Sequence, residues 1–177
     1  MFLNDFFADA DEDLVGCIRC RNAKPLHLEL KMAFQPIVDV DKRSVFAYEA
    51  LVRGAQGASA GEVIAAVAPE EMYSFDQTCR VLAIDTAQRL GMTSYLSINF
   101  LPNAVYEPST CIRLTLAAAR KVGFPPDRLI FELTEGEKIR DPAHALRIIK
   151  DYQQRGFLTA SDDFGAGYSG LTLLADF

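Results

Sequence analysis

Four segments of the chain place acidic or amide side chains where they could bind a metal ion. These side chains are Glu49, Asn99, Glu132 and the adjacent pair Asp162 and Asp163. Each lies towards the C-terminal end of a different predicted strand, and the alternate positions of those strands are mostly apolar. Carboxylate and amide oxygens without a nearby cysteine or histidine suit a hard cation such as Mg²⁺ or Mn²⁺. Because the C-terminal ends of parallel strands share one edge, the pattern predicts a divalent metal site there.

Glu49 shows why a metal ion is the favoured explanation. Residues 45–53 have the composition of a buried strand, with one apolar face and with Glu49 and Arg53 on the other. An unpaired buried carboxylate is costly, and four residues of strand separate Arg53 from Glu49 by roughly 13 Å. A single acidic residue near a strand end is more often a helix cap or a loop ion pair. The same feature on four separate strands favours one shared site.

Other catalytic chemistries find little support in the sequence. No Ser-His-Asp or Cys-His set is visible, and His27 and His144 are expected to be surface or packing residues. The glycine-rich residues 165–170 match neither GxGxxG nor a P-loop. The Asp-Phe-Gly at 163–165 lacks the upstream motifs of a kinase.

Composition favours one globular domain with its own core, since the chain has 177 residues of which 50% are hydrophobic and 24% charged. The net charge is −6 and no basic stripe is visible, which argues against a DNA or RNA polymer as partner. No apolar run approaches the roughly 20 residues of a membrane span. The acidic start lacks the features of a secretory signal, so the expected location is the cytoplasm.

The four cysteines fall into two groups. Cys17 and Cys20 form a CxxC, but no second ligand pair at close spacing completes a zinc site. The favoured interpretation is a pair of reduced thiols without a specific role, and a metal clip or a redox sensor are the alternatives. Cys79 and Cys111 fall on predicted apolar helix faces and are expected in the core.

The chain alternates strands and helices. Predicted strands at 33–40 and 45–53 are separated by a short polar turn, which indicates an antiparallel pair. Helices then separate further strands at 95–101, 129–134 and 157–163, with Ser109 and Asp141 as candidate N-caps. The order predicts an α/β fold with a mainly parallel sheet, either open or rolled into a barrel.

Five motifs, taken in chain order, resemble those of the EAL family of cyclic-di-GMP phosphodiesterases. They are Phe34-Gln35-Pro36-Ile37, Tyr48-Glu49-Ala50-Leu51-Val52-Arg53-Gly54, Ser97-Ile98-Asn99-Phe100, Phe131-Glu132-Leu133-Thr134-Glu135 and Asp162-Asp163-Phe164-Gly165-Ala166-Gly167-Tyr168-Ser169. The resemblance covers about residues 32–177. It leaves residues 1–31 as an acidic N-terminal extension that carries the CxxC.

The resemblance implies a TIM-like barrel with one antiparallel strand, and hydrolysis of cyclic-di-GMP to linear pGpG with two divalent ions, Mg²⁺ or Mn²⁺. The implied ligands of the first ion are Glu49, Asn99, Glu132 and Asp162. Asp162 would bridge to a second ion that Asp163 also binds. Two ions about 3.5–4 Å apart would activate the attacking water and stabilise the leaving oxygen.

The same resemblance implies roles for four further residues. Gln35, Leu51 and Arg53 would contact the dinucleotide, with Arg53 on a phosphate. Glu135 would anchor the loop after Asp163, which the family uses in metal binding and dimerisation. The expected catalytic set is therefore Glu49, Asp162, Asp163 and Glu135, and the expected partners are cyclic-di-GMP and a second copy of the chain.

The sequence departs from the family at its end. The family continues with strands that carry Lys-Ile-Asp, Ala-Glu-Gly-Val-Glu and Gln-Gly motifs, and none of them precedes Phe177. The expectation is therefore an incomplete barrel of about the first five strands, without the family's lysine and candidate general base. The alternative function is a non-catalytic module that binds cyclic-di-GMP or a protein.

Overall fold

The computed structural model describes residues 24–133 and 139–161. These ranges contain five strands, β1 Leu30–Asp39, β2 Ser44–Gly54, β3 Tyr95–Phe100, β4 Leu129–Leu133 and β5 Leu158–Ser161. They also contain four α-helices, α1 Ala60–Ala66, α2 Met72–Arg89, α3 Pro108–Val122 and α4 Pro142–Gln154. None of these four helices has the length and apolar character needed to cross a membrane.

The five strands form one sheet in the order β1-β2-β3-β4-β5. β1 runs antiparallel to β2, and the pairs β2–β3, β3–β4 and β4–β5 are parallel. Helices α2, α3 and α4 provide the crossovers between the parallel strands. Within the described residues the fold is α/β and corresponds to about the first five strands of the TIM-like (β/α) barrel with one antiparallel strand that the resemblance implied.

The turn between β1 and β2 explains the antiparallel pair. The Asp39 carboxylate accepts hydrogen bonds from the Lys42 backbone N–H at 2.9 Å and from Lys42 Nζ at 2.7 Å. Arg43 adopts a positive φ of 50°, which reverses the chain before Ser44 begins β2. A turn this short can connect only antiparallel strands, because a parallel pair needs a longer crossover connection.

The helix caps are partly those that the sequence predicted. Asp141 caps α4 by accepting a hydrogen bond from the His144 N–H at 3.0 Å, with Pro142 at the first helical position. The prediction for Ser109 is wrong, because α3 begins at Pro108 and its N-cap residue is Glu107, two residues before Ser109. Proline at the first helical position was the signal for the correct boundary.

The main core lies between the sheet and helices α2 to α4. One face of β3 and β4, called the helix face here, packs against it through Leu96, Ile98, Phe100, Leu129, Phe131 and Leu133. Cys111 is fully buried in this core, and Cys79 is half-buried against a second apolar cluster, as expected for both. The opposite face of the sheet, the site face, carries Glu49, Asn99 and Glu132.

Candidate metal centre

Glu49 and Asn99 meet across neighbouring parallel strands. Asn99 Nδ2 donates a hydrogen bond to Glu49 Oε1 at 2.9 Å. Glu49 is in register with Ser97, and Asn99 lies one pleat further along β3. β2 continues to Gly54, but it pairs with β3 only over Ala47–Ala50. Glu49 therefore lies near the C-terminal end of the paired part of β2. Parallel pairing brings the two side chains to the same edge.

Glu132 joins them from the next strand. It is in register with Asn99, so its side chain leaves the sheet on the site face beside the amide. Only 8% of Glu132 is exposed, which is unusual for a glutamate. Three consecutive strands thus each contribute one oxygen-bearing side chain to one part of the site face.

Asn99 provides the test of whether this arrangement suits a cation. Its Nδ2 is committed to Glu49, and its Oδ1 is buried without a hydrogen-bond partner among the described residues. A buried carbonyl oxygen without a partner costs about 1–3 kcal/mol, and coordination of a cation would offset this cost. An amide oxygen between two carboxylates is a hard-cation ligand set. The residues therefore fit a divalent metal.

The described residues do not complete a metal site by themselves. Within 24–133 and 139–161, no group of three His, Cys, Asp or Glu side chains is placed to hold a metal ion. Asp162 and Asp163, predicted as ligands, lie outside the described residues, as do Glu135, Cys17 and Cys20. Their roles stay predictions.

The three residues predicted to contact the substrate share the site face with Glu49. Gln35 on β1 is in register with Glu49, while Leu51 and Arg53 follow Glu49 at alternate positions of β2. Gln35 is exposed, and Leu51 and Arg53 are half-buried. Arg53 Nη1 donates to the Val52 carbonyl at 2.7 Å, and Arg53 forms no ion pair within the described part of the chain. Its remaining donors are suited to an anionic ligand.

The two histidines take no part in this arrangement. His27 has an 81% exposed side chain, 3.9 Å from Glu71 Oε1. His144 Nε2 lies 2.6 Å from the Val105 carbonyl oxygen, a contact that joins α4 to the segment after β3. Both are surface or packing residues, as predicted.

Two features near the site were missed from the sequence. Ser97 is fully buried on the site face opposite Glu49, and its hydroxyl has no hydrogen-bond partner among the described residues. Asp76 and Arg80 form a buried ion pair on the opposite side of the sheet. The signal that could have found Ser97 is strand alternation, which places it on the same face as Asn99, and the i, i+4 spacing of Asp76 and Arg80 was the only signal for the pair.

A sequence model of the EAL domain matches residues 21–177. The chain belongs to the EAL domain family. The match begins upstream of β1, and the buried Leu26 packs with Leu30 in the second apolar cluster.

Relatives of this EAL domain include both enzymes and a regulator. The chain is 30% identical over 174 residues to the blue light- and temperature-regulated antirepressor BluF of Escherichia coli, covering 97% of the chain and 42% of BluF. It is 33% identical over 89 residues to the cyclic di-GMP phosphodiesterase RocR of Pseudomonas aeruginosa, covering 50% of the chain and 22% of RocR.

Solved structures are similar to the chain as well. A standalone EAL protein from Vibrio cholerae, in a c-di-GMP-bound form, superposes with a TM-score of 0.81 at 55% identity and covers 86% of the chain and 64% of that protein. Klebsiella pneumoniae BlrP1 with manganese and cyclic-di-GMP superposes with a TM-score of 0.74 at 33% identity, covering 98% of the chain and 46% of BlrP1. The EAL domain chain thus spans less than two thirds of the length of each of these relatives.

Proposed function

We propose that this EAL domain belongs to a phosphodiesterase that hydrolyses cyclic-di-GMP to linear pGpG with two divalent ions, Mg²⁺ or Mn²⁺. The observation that carries the proposal is the contact of Asn99 with Glu49 beside the buried Glu132. Structures of similar chains with cyclic-di-GMP, one of them with manganese, support the substrate and the cofactor.

The proposed first metal position uses Glu49, Asn99, Glu132 and Asp162, and the second uses Asp162 and Asp163. When bound, the ions supply an activated water and offset the negative charge that develops on the phosphodiester. The Asn99 amide has two tasks here. Its N–H fixes one oxygen of Glu49, and its carbonyl oxygen is left to coordinate.

The proposed substrate contacts follow the site face outwards from Glu49. Arg53 would bind a phosphate, since a guanidinium presents several donors in one plane and keeps its charge at any physiological pH. Gln35 and Leu51 would contact the rest of the dinucleotide, one by hydrogen bonding and one by apolar packing. Arg53 would attract the phosphodiester, and the ions that the carboxylates would hold would offset its negative charge.

Several features of the whole protein remain part of the proposal. We place it in the cytoplasm as a homodimer, with Glu135 anchoring the loop that follows Asp163, and without a nucleic-acid polymer or a membrane as partner. Residues 1–31 would be an extension to the domain formed by residues 32–177.

A non-catalytic role is the second candidate, and a specific observation favours it. BluF, which matches 97% of the chain, is an antirepressor. In such a module Arg53 and Gln35 would bind cyclic-di-GMP without turnover, or the surface would bind a protein partner.

One experiment on the full-length protein separates these functions. Purified protein is freed of metal, supplied with Mn²⁺ or Mg²⁺, and incubated with cyclic-di-GMP while pGpG is measured by liquid chromatography. Calorimetric titration measures dinucleotide binding in parallel. Conversion that depends on added metal supports the phosphodiesterase, and binding without conversion supports the module. Neither binding nor conversion would refute both functions involving cyclic-di-GMP.

A further inference from the structure

A buried ion pair lies on the helix face of the sheet, behind the candidate metal centre. Asp76 and Arg80 are one turn apart on α2, and Arg80 Nη2 is 2.7 Å from Asp76 Oδ2. Both side chains are inaccessible to solvent. Arg80 Nη1 also donates to the hydroxyl of the buried Tyr152 on α4 at 3.1 Å. The three residues therefore join two helices through one charged network.

The carboxylate of this network reaches the end of β3. Asp76 Oδ1 accepts a hydrogen bond from the backbone N–H of Leu101 at 3.0 Å. Leu101 directly follows β3 and lies two residues after Asn99. Asp76 therefore fixes the backbone at the point where β3 delivers Asn99 to the site face.

The guanidinium of the network contacts both strands that carry buried site residues. Arg80 Cζ lies 5.7 Å from the ring centre of Phe100 and 5.9 Å from that of Phe131. Phe100 follows Asn99 and Phe131 precedes Glu132, and side chains alternate between faces. The Arg80 guanidinium thus contacts two rings on the helix face. The residues next to these rings in sequence, Asn99 and Glu132, belong to the candidate metal centre on the site face.

Stability alone is a poor explanation for this network. Burying an ion pair has a large desolvation cost, and an apolar pair of similar volume is often as stable or more so. Burial raises the pKa of both Asp76 and Tyr152, and the contact with Arg80 opposes these shifts. What an apolar pair could not provide is the hydrogen bond to Leu101 and the charged contact with the two rings.

We propose that Asp76 and Arg80 are positioning residues that hold the ends of β3 and β4 so that Asn99 and Glu132 bind one metal ion together. The inference rests on the metal site proposed above. It adds two residues that touch neither metal nor substrate and act through the strand backbones and the rings of Phe100 and Phe131. Partners in the outer shell of metal sites commonly change metal affinity about 10–100-fold when they are removed.

The decisive variant is Asp76→Leu combined with Arg80→Met, which replaces the ion pair with apolar side chains of similar length. Two properties of the full-length protein are then measured. Hydrogen exchange reports the protection of the Leu101 amide in metal-free protein, and electron paramagnetic resonance reports the affinity for Mn²⁺ alone. We expect faster exchange at Leu101, because its acceptor is gone, and Mn²⁺ affinity about tenfold weaker.

Val81→Ala is the matched control. Val81 follows Arg80 on α2, is fully buried, and packs against Ala118 of α3 away from the strands. Its truncation should lower the melting temperature but leave Leu101 exchange and Mn²⁺ affinity unchanged. Tyr152→Phe is a second, milder variant that removes only the hydroxyl that accepts from Arg80. Tyr152→Phe should weaken Mn²⁺ binding a few-fold. If the double variant does not fold, the Mn²⁺ affinity of Tyr152→Phe is the test of the proposal.

The outcomes separate this inference from the proposed function. Wild-type protein that binds Mn²⁺, with a double variant of unchanged affinity or unchanged Leu101 exchange, overturns the positioning role alone. An equal loss of affinity in Val81→Ala also overturns it, because general destabilisation would then explain the effect. Wild-type protein that binds no Mn²⁺ overturns the metal site and the inference together.

Discussion

Replacement of Glu49 by glutamine separates the charge of this side chain from its shape. Asn99 Nδ2 donates to Glu49 Oε1 at 2.9 Å, and a glutamine carbonyl oxygen can accept the same hydrogen bond. The fold should therefore change little. The negative charge is lost, and with it an anionic ligand for the proposed metal ion.

The two effects differ in size. A hydrogen bond to a charged group contributes about 1.5–3 kcal/mol to stability, and a neutral one about 0.5–1.5 kcal/mol. Glu49→Gln should thus lower the free energy of unfolding by about 1 kcal/mol, which corresponds to about 2–4 °C in melting temperature for a domain of this size. Hydrolysis should fall by about 10³-fold or more, which corresponds to roughly 4 kcal/mol of transition-state stabilisation.

The assay is metal-dependent conversion of cyclic-di-GMP to pGpG by the full-length protein, with the melting temperature measured on the same samples. Asp39→Asn is the matched control, since it makes the same carboxylate-to-amide change in the β1–β2 turn, which lies at the opposite edge of the sheet. The control should keep wild-type activity. Glu49→Gln protein with more than a tenth of wild-type turnover would refute the metal assignment. A melting temperature lowered by more than about 10 °C would instead show a structural role for the charge.

Three further predictions concern binding, pH and backbone geometry. Arg53→Ala should raise KM for cyclic-di-GMP more than it lowers kcat, because it would remove the proposed phosphate contact and no proposed metal ligand. Steady-state kinetics showing the reverse would place Arg53 in the chemical step. The hydrogen bond from the Ser59 side chain lowers the pKa of Glu62 below its ordinary 4.5 in the capping box of α1. This stabilisation is present above the unfolded pKa of Glu62 and is lost as the pH falls through its folded pKa. The difference in unfolding free energy between wild type and Ser59→Ala should therefore shrink in acid. An NMR titration should show a higher Glu62 pKa in the variant. Gly54→Ala should lower the free energy of unfolding by about 1–3 kcal/mol, because the added Cβ would lie 2.8 Å from the Ala58 Cβ. In Gly61→Ala the added Cβ meets no atom within 4 Å, so thermal melts should show a neutral or stabilising effect.

Local sequence patterns predicted most of the fold. The two-residue alternation of strands placed Asn99 and Glu132 on the face opposite Phe100 and Phe131, since that period follows from strand geometry itself. The short polar turn before Ser44 was enough to predict an antiparallel β1–β2 pair, because a parallel pair needs a crossover. The five motifs were enough to place the chain in the EAL family.

Tertiary structure decided how those side chains meet. Strand register sets Asn99 opposite Glu132 and one pleat beyond Glu49, and a shift of one residue would have turned a whole strand to the other face. The amide of Asn99 donates to Glu49 and leaves its oxygen buried, which depends on two residues that are 50 positions apart in the chain.

The buried network of Asp76 and Arg80 shows most clearly what could not be predicted from the sequence. An Asp and an Arg at i, i+4 on a helix are usually a solvated surface pair, and nothing local distinguishes Asp76 and Arg80 from such a pair. Their burial results from α4, whose Tyr152 lies 72 residues from Arg80 and closes the network against the sheet. Sequence determined which side chains could bind a metal, because face and strand end are local properties. Packing of distant elements alone decided what holds them in place.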